Sequence, residues 1–339
     1  MSHPGTQTRF RNVVTAAGLS VALFLGASAS AQQPLRLLGS DCSPALDAPV
    51  TEPGTDRTYI LDYPCDLQAG EDVTLILNLH GGGSNTAYQR AYFPAWEFKE
   101  EYRLVVATPY APIRRWTDAD DTYLQNIITA ITAAVGSENI RAFWLAGHSQ
   151  GGLTSRRLVC TDFFESKVDG FLSLSGGRLG GAAPRAANAG RPRQLTDPEP
   201  AASATPAPTT ATTPAAEPDC AFSHIYAIGE HEIASLPNTS SLADKYQCSA
   251  RVQRANVVDT EPGKTYDSGH QNPATKEWGR EPRPGTSAVY EYPDCADGRV
   301  IADVVRLDKG HTEGLEPNIV EALVRRITMA SGGKIQHGD

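Results

Sequence analysis

Apolar residues fall along this chain in two periods, and the alternation between them predicts the architecture. Runs from Arg57 to Tyr63, Val73 to Leu79, Leu104 to Thr108, Ala142 to Ala146, Phe171 to Leu174 and Phe222 to Ile228 have strand length and strand composition. Val300 to Leu307 alternates with period two. Between them, Leu124, Ile127, Ile128, Ile131 and Val135 repeat at helical spacing, which predicts a helix over Asp120 to Val135. Asp120 and Asp121 fall in its first turn, where the helix dipole favours negative charge. Pro317 opens a last helix with Val320, Leu323, Val324 and Ile327 on one face. Strands alternating with helices imply an α/β class, a mainly parallel, doubly wound sheet with helices on both faces.

Two segments fall outside this pattern. Residues 1–31 read as a signal peptide: Arg9 and Arg11 precede an apolar stretch from Val13 to Leu25, too short to span a bilayer comfortably, and Ala29-Ser30-Ala31 offers a cleavage site. Residues 32–339 are then one domain, interrupted at 180–219 by a segment rich in Ala, Pro and Thr. Apart from Leu195 it holds almost no large apolar residue and is expected to be disordered. A lid of that composition would have no oily face, which argues against a lipase working at an oil–water interface.

The stretch Gly147-His148-Ser149-Gln150-Gly151-Gly152 lies between an apolar strand and a helical segment. In that context G-x-S-x-G is a nucleophile elbow, a sharp turn that exposes a serine and leaves no room for β-carbons on its flanks. Such a pentapeptide also arises by chance in a glycine-rich chain, so its neighbours matter. The strand from Val73 to Leu79 runs into His80-Gly81-Gly82-Gly83, a loop of the kind that supplies an oxyanion-hole N–H; an ordinary glycine turn is the plain alternative. The expected donors are the amides of Gly82, ahead of Gly81 and Gly83, and of Gln150, each worth roughly 3–4 kcal/mol against developing negative charge. His311, of eight histidines, is placed in a strand-to-helix loop near the end of the fold, where a neutral imidazole serves as the base for Ser149. The carboxylate belongs after the strand ending at Ile228. Glu230 and Glu232 both qualify chemically, and Glu232 is preferred because it stands three residues after Gly229. The candidate triad is therefore Ser149, Glu232 and His311, in the chain order of α/β-hydrolases. Its chemistry needs no metal and no organic cofactor.

Charge and cysteines narrow the setting. The formal net charge of −9 becomes −11 once Arg9 and Arg11 are lost, and without a basic cluster this argues against nucleic acid and against anionic membranes as partners. Six cysteines in an exported chain favour three disulfides among fifteen connectivities. We expect Cys42–Cys65 to staple an N-terminal hairpin and Cys160–Cys220 to tie the nucleophile helix to the strand before the acid. Cys248–Cys295 would clamp the excursion before His311. No close C-x-x-C pair points to zinc. Among the aromatics near the oxyanion loop, Tyr88, Tyr92, Phe93 and Trp96 read as packing, and Trp116 as the one that presents a ring to substrate.

These features together resemble the secreted α/β-hydrolases of the feruloyl esterase and polyhydroxybutyrate depolymerase-like family, related to acetylxylan esterases. The resemblance runs from about Arg57 to the last helix, apart from the Ala/Pro/Thr segment. It rests on Leu79-His80-Gly81-Gly82, Trp116 with Asp120 to Leu124, the elbow, Tyr246-Gln247-Cys248, Tyr290 to Cys295, and Gly310-His311. It implies Ser149 as nucleophile, His311 as base, an acid at Glu232 and a bond between Cys248 and Cys295. The chain departs from the family in having His-Ser-Gln at the elbow, Glu for Asp, and Thr312-Glu313-Gly314 where a Trp-Pro pair is usual. The expected activity is a secreted serine esterase acting through an acyl-enzyme on acetyl or feruloyl esters of polysaccharide. A polyester depolymerase shares that chemistry, a serine peptidase fits less well, and a non-catalytic polysaccharide-binding module on the same fold is the alternative from another class.

Overall fold

Strand β3, Val73–Leu79, is buried at every position, and so is nearly all of β5, Ile140–His148. Side chains alternate across a strand, so both faces of these two must be covered. The computed structural model, which describes residue 1, residue 37 and residues 49–184, 218–264 and 282–337, shows how. Leu75, Leu77, Phe143 and Leu145 point into one core with Ile127 and Ile131, while Ile76, Trp144 and Ala146 point into another with Leu323 and Val324.

Among the described residues the sheet has eleven strands, with β1 (Val50–Glu52), β2 (Arg57–Asp62) and β4 (Leu104–Pro109) on one side of β3. β5 and β6 (Gly170–Leu174), then β7 (Ser223–Gly229), follow on the other. The order runs β1-β2-β4-β3-β5-β6-β7-β11-β10-β8, with β9 also paired to β10. Here β8 is Val252–Gln253, β9 Val257–Val258, β10 Thr286–Tyr292 and β11 Ile301–Leu307. The middle, from β4 through β3, β5, β6 and β7 to β11, is parallel. The flanks are antiparallel: β1 with β2, β2 with β4, and β10 with β11, β8 and β9. The expected mainly parallel sheet is therefore a parallel centre with antiparallel margins.

Helices α1 (Thr86–Tyr92), α2 (Lys99–Tyr102) and α3 (Asp121–Val135) precede the central crossover. Then come α4 (Gln150–Leu158), α5 (Asp162–Glu165), α6 (Ser241–Lys245), α7 (Pro317–Met329) and α8 (Lys334–His337). The apolar stripes of α3 and α7 are the two faces read from the sequence, and they lie in the two different cores.

Two disulfides close long loops, Cys160–Cys220 and Cys248–Cys295. Cys65 is also disulfide-bonded, but Cys42 lies outside the described residues. So do the expected signal peptide, apart from residue 1, and most of the expected insert. Its opening residues are described: Arg178 donates to the carbonyls of Gly180 and Gly181 at 3.0 and 2.8 Å, and the Ala234 amide donates to Pro184 O at 2.8 Å. No described helix is long and apolar enough to cross a membrane.

Candidate active site

β5 ends in the middle of the sheet, with Gly147 paired to Leu79 of β3 and to Ser173 of β6. One residue later the chain turns into α4, and Ser149 makes the turn at φ 51°, ψ −115°. A side-chain-bearing residue at such a φ is strained by roughly 1–3 kcal/mol, and the surroundings must enforce it. They do so in two ways. The Ser149 amide is held by the Leu174 carbonyl of β6 at 2.8 Å. The glycines let backbones meet: a β-carbon on Gly147 would lie 2.3 Å from the Gly151 carbonyl carbon, and one on Gly152 2.8 Å from Gly176 Cα. A strand order of this kind with a left-handed serine at the central strand-to-helix turn decides the architecture. The chain has the α/β-hydrolase fold.

The turn after β7 and the loop after β11 meet above that serine. Glu232 is 8% exposed and both of its carboxylate oxygens have partners. Its Oε1 accepts from the Gly229 amide at 2.9 Å and the Ser175 hydroxyl at 2.8 Å; its Oε2 lies 2.5 Å from His311 Nδ1. A carboxylate only accepts, so Nδ1 carries a proton, and in the neutral ring the lone pair is then on Nε2. Glu230, the alternative acid, is exposed and accepts from the Asp308 amide at 2.8 Å. The structure thus brings Glu232 to the imidazole and places Glu230 elsewhere. Ser149, Glu232 and His311 line one cavity of ≈ 400 Å³, together with Ser175, Tyr226 and Ile228.

His148, the residue inside the elbow, holds the histidine loop from below. Its Nε2–H donates to the His311 carbonyl at 2.9 Å, its ring packs 4.7 Å from the His311 ring, and Tyr92 packs 4.0 Å from it. The Tyr88 hydroxyl donates to the next carbonyl, Thr312 O, at 3.1 Å.

The glycine loop after β3 lies over the start of α4. Gly83 N–H is committed to the Arg114 carbonyl at 2.7 Å. The Gly81 carbonyl accepts from Ser84 N at 3.1 Å and from His80 Nδ1 at 2.8 Å, which fixes the peptide plane between Gly81 and Gly82. In a planar trans peptide the Gly82 N–H points opposite to that carbonyl. His80 can donate from Nδ1 because its Nε2 accepts the Ala111 amide at 3.1 Å. Burial pushes its pKa down to about 4, so the ring stays neutral near pH 7. A β-carbon on Gly82 would stand 3.2 Å from Gln150 Oε1, and one on Gly81 3.4 Å from Ser149 Cβ. The amide of Gln150, in the first turn of α4, has no acceptor within its helix. The Gly83 amide is thus spent within the loop, while the Gly82 amide is oriented away from the bonds that fix it.

Trp116 differs from expectation. It is only 5% exposed, its indole N–H donates to the His80 carbonyl at 2.8 Å, and its ring packs 4.7 Å from the His80 ring. Its backbone also grips the Gln150 side chain, in both directions at 3.3 Å. An indole N–H needs a partner once buried, and this one finds it in the loop. Trp116 therefore braces the glycine loop and does not offer a ring to substrate.

A buried group of charges beneath the histidine loop has no counterpart in the sequence reading. Lys309, Glu313 and Glu316 are each 1% exposed and Arg306 2%. Lys309 Nζ lies 2.6 Å from Glu316 Oε1, and Arg306 Nη2 3.1 Å from Glu316 Oε2. Arg306 also donates to the carbonyls of Glu313 and Gly314 at 2.7 and 2.8 Å, and Glu313 accepts the Gly310 amide at 2.7 Å. Burial opposes ionisation of Glu316, but Arg306 and Lys309 outweigh it and hold its carboxyl below the usual range. The i,i+4 spacing of Lys309 and Glu313 was the visible signal; nothing in it indicated burial.

The sequence matches no known family profile and no curated protein. Among solved structures, it is similar to an acetyl xylan esterase from Aspergillus awamori at 14% identity. That alignment covers 83% of this chain and 98% of the other, with a TM-score of 0.46. A fluorophosphonate-binding serine hydrolase of Staphylococcus aureus aligns at 21% identity over 37% of this chain and 55% of its own, with a TM-score of 0.29. An esterase from Thermogutta terrifontis aligns at 16% identity over 38% and 52%, with a TM-score of 0.30. The chain spans about half the length of the latter two. The fold is decided by the strand order and the Ser149 turn.

Proposed function

We propose that this protein is a serine carboxylic-ester hydrolase. The observation that carries the reading is the convergence of Ser149, held at a left-handed turn, with a His311–Glu232 pair in one cavity. Ser149 Oγ attacks the ester carbonyl while His311 Nε2 takes its proton. The amides of Gly82 and Gln150 meet the charge that develops on the carbonyl oxygen. As the tetrahedral centre collapses, the carbon–oxygen bond to the alcohol breaks and His311 returns the proton to the leaving oxygen. Water then attacks the acyl-serine by the same route, releasing the acid. Glu232 orients the ring and stabilises the imidazolium without itself taking the proton.

The substrates we assign are acetyl or feruloyl esters on polysaccharide, with a polyester depolymerase as the second reading. Gly177, Ala182, Ala183 and Ile233 complete the cavity wall together with Arg156 and Arg178, so small and apolar side chains stand beside two cationic ones there. Export to the periplasm or the outside of the cell is supported by two disulfides and by the N-terminal sequence.

The test is hydrolysis by the mature chain, residues 32 onward. The panel is p-nitrophenyl esters from acetate to decanoate, methyl ferulate, acetylated xylan and polyhydroxybutyrate film, with Ser149→Ala alongside. Turnover lost in Ser149→Ala supports the serine esterase, and the preferred substrate separates the two readings. Turnover undiminished in that variant, or none on any ester, removes it.

A further inference from the structure

We propose that Ser175 is a positioning residue for the acid, and that the turn after β6 ties Glu232 to the Ser149 elbow. This rests on the esterase reading above. Leu174 and Ser175 are consecutive, and each reaches a different member of the candidate triad. The Leu174 carbonyl accepts the Ser149 amide at 2.8 Å, and the Ser175 hydroxyl donates to Glu232 Oε1 at 2.8 Å. The Ser175 amide is itself fixed to the Ala227 carbonyl of β7 at 2.8 Å. The segment is thus anchored on both neighbouring strands, with the acid on one side and the nucleophile on the other.

The backbone gives the second reason. Ser175 has φ 53°, a left-handed conformation that a side-chain-bearing residue adopts at a cost. Glycine would occupy it without strain, and the next two residues are glycines. A β-carbon on Gly176 would lie 2.6 Å from Gly152 Cα and 3.0 Å from the Ser149 carbonyl oxygen, so this turn packs directly against the elbow. A serine held in strain where the fold tolerates glycine, with its hydroxyl on a buried carboxylate, points to a role for that hydroxyl. Glu232 is on a flexible side chain whose Oε2 must meet His311 Nδ1 in line. The Gly229 amide fixes Oε1 along one direction only; the Ser175 hydroxyl supplies the second and so sets the plane of the carboxylate.

The variant that separates this from a structural role is Ser175→Gly. It removes the hydroxyl and relieves the backbone, so the folded protein is expected to melt no lower than wild type. We expect kcat on p-nitrophenyl acetate to fall roughly tenfold, with KM within twofold, because the hydroxyl acts through Glu232 and not on bound ester. Ser175→Asn tolerates the left-handed backbone and keeps a donor, and is expected to regain most of the loss. A second readout does not depend on turnover: the His311 Nδ1 proton, shared with Glu232, should resonate at low field by proton NMR and disappear in Glu232→Gln. It should move in Ser175→Gly and return toward its wild-type position in Ser175→Asn. An unchanged kcat, or an unmoved resonance, in a folded Ser175→Gly protein overturns the proposal. A resonance that moves in a protein without ester turnover sustains the positioning role and removes the esterase reading alone.

Discussion

Gly151 lies against Leu79 so closely that a β-carbon on it would stand 2.2 Å from the Leu79 carbonyl oxygen. This contact joins the first turn of α4 to the last residue of β3, and the glycine loop begins one residue further on. The spacing between the nucleophile turn and the candidate oxyanion donors is therefore set by backbone meeting backbone.

Gly151→Ala should accordingly be severe, because neither side of the clash can rotate away. We expect a loss of about 3 kcal/mol or more in urea denaturation. Gly70→Ala, at φ 80° with nothing within 4 Å of the added carbon, carries only the left-handed penalty of about 1–2 kcal/mol. Equal losses at the two sites would contradict the account.

Glu232→Gln should lower kcat on p-nitrophenyl acetate by roughly 10³–10⁴-fold, since the amide cannot stabilise the imidazolium and favours the wrong tautomer. Glu230→Gln should stay within a few-fold of wild type, because that carboxylate caps the Asp308 amide at the surface. The reverse ranking would move the acid to Glu230.

Two buried histidines make the fold sensitive to acid. Burial pushes His80 down to about 4 and His224 to about 3. The His224 Nε2 accepts the Leu179 amide at 3.3 Å, and the His80 Nε2 is likewise an acceptor. In the unfolded chain both titrate near 6.5. The native state binds fewer protons below that pH, so their contribution is complete above about 6.5 and declines as pH falls toward 4 and 3. For His80 the loss is about 3 kcal/mol across its window. Urea midpoints at pH 7.5, 5.5 and 4 should fall in that order; a flat profile would refute it.

The charges under the histidine loop should behave unlike those at the surface. Lys309→Met leaves Glu316 buried with one cation fewer, and we expect about 3–5 kcal/mol of destabilisation. Arg157→Ala, which breaks the partly exposed pair with Asp121, should cost no more than about 1 kcal/mol. Thermal denaturation of the two variants tests the contrast.

The strands that carry the site were legible because each is a short run of large apolar residues, and in β3 the bounds fall where expected. The elbow was legible because its glycines report backbone contacts that no other residue permits. Harder to see was β10, whose half-buried pattern with Glu291 and two tyrosines lacks a continuous apolar run, as befits a strand outside the parallel centre. Trp116 was misplaced because sequence gives nearness to a loop but not which way a ring faces. Ser175 gave no signal at all: its role depends on φ and on a partner 57 residues away.

The His311 loop is tied to the rest of the site by contacts of long sequence separation. Its imidazole is joined to a carboxylate 79 residues earlier, and its carbonyl to a ring 163 residues earlier. Contacts of such separation form late, because long loops must close before they are rewarded. During refolding the nucleophile turn and the glycine loop can therefore be complete while the site is still silent. Ester turnover should lag the recovery of fluorescence from buried Trp144, which makes activity a clock for the final docking of the β11–α7 crossover.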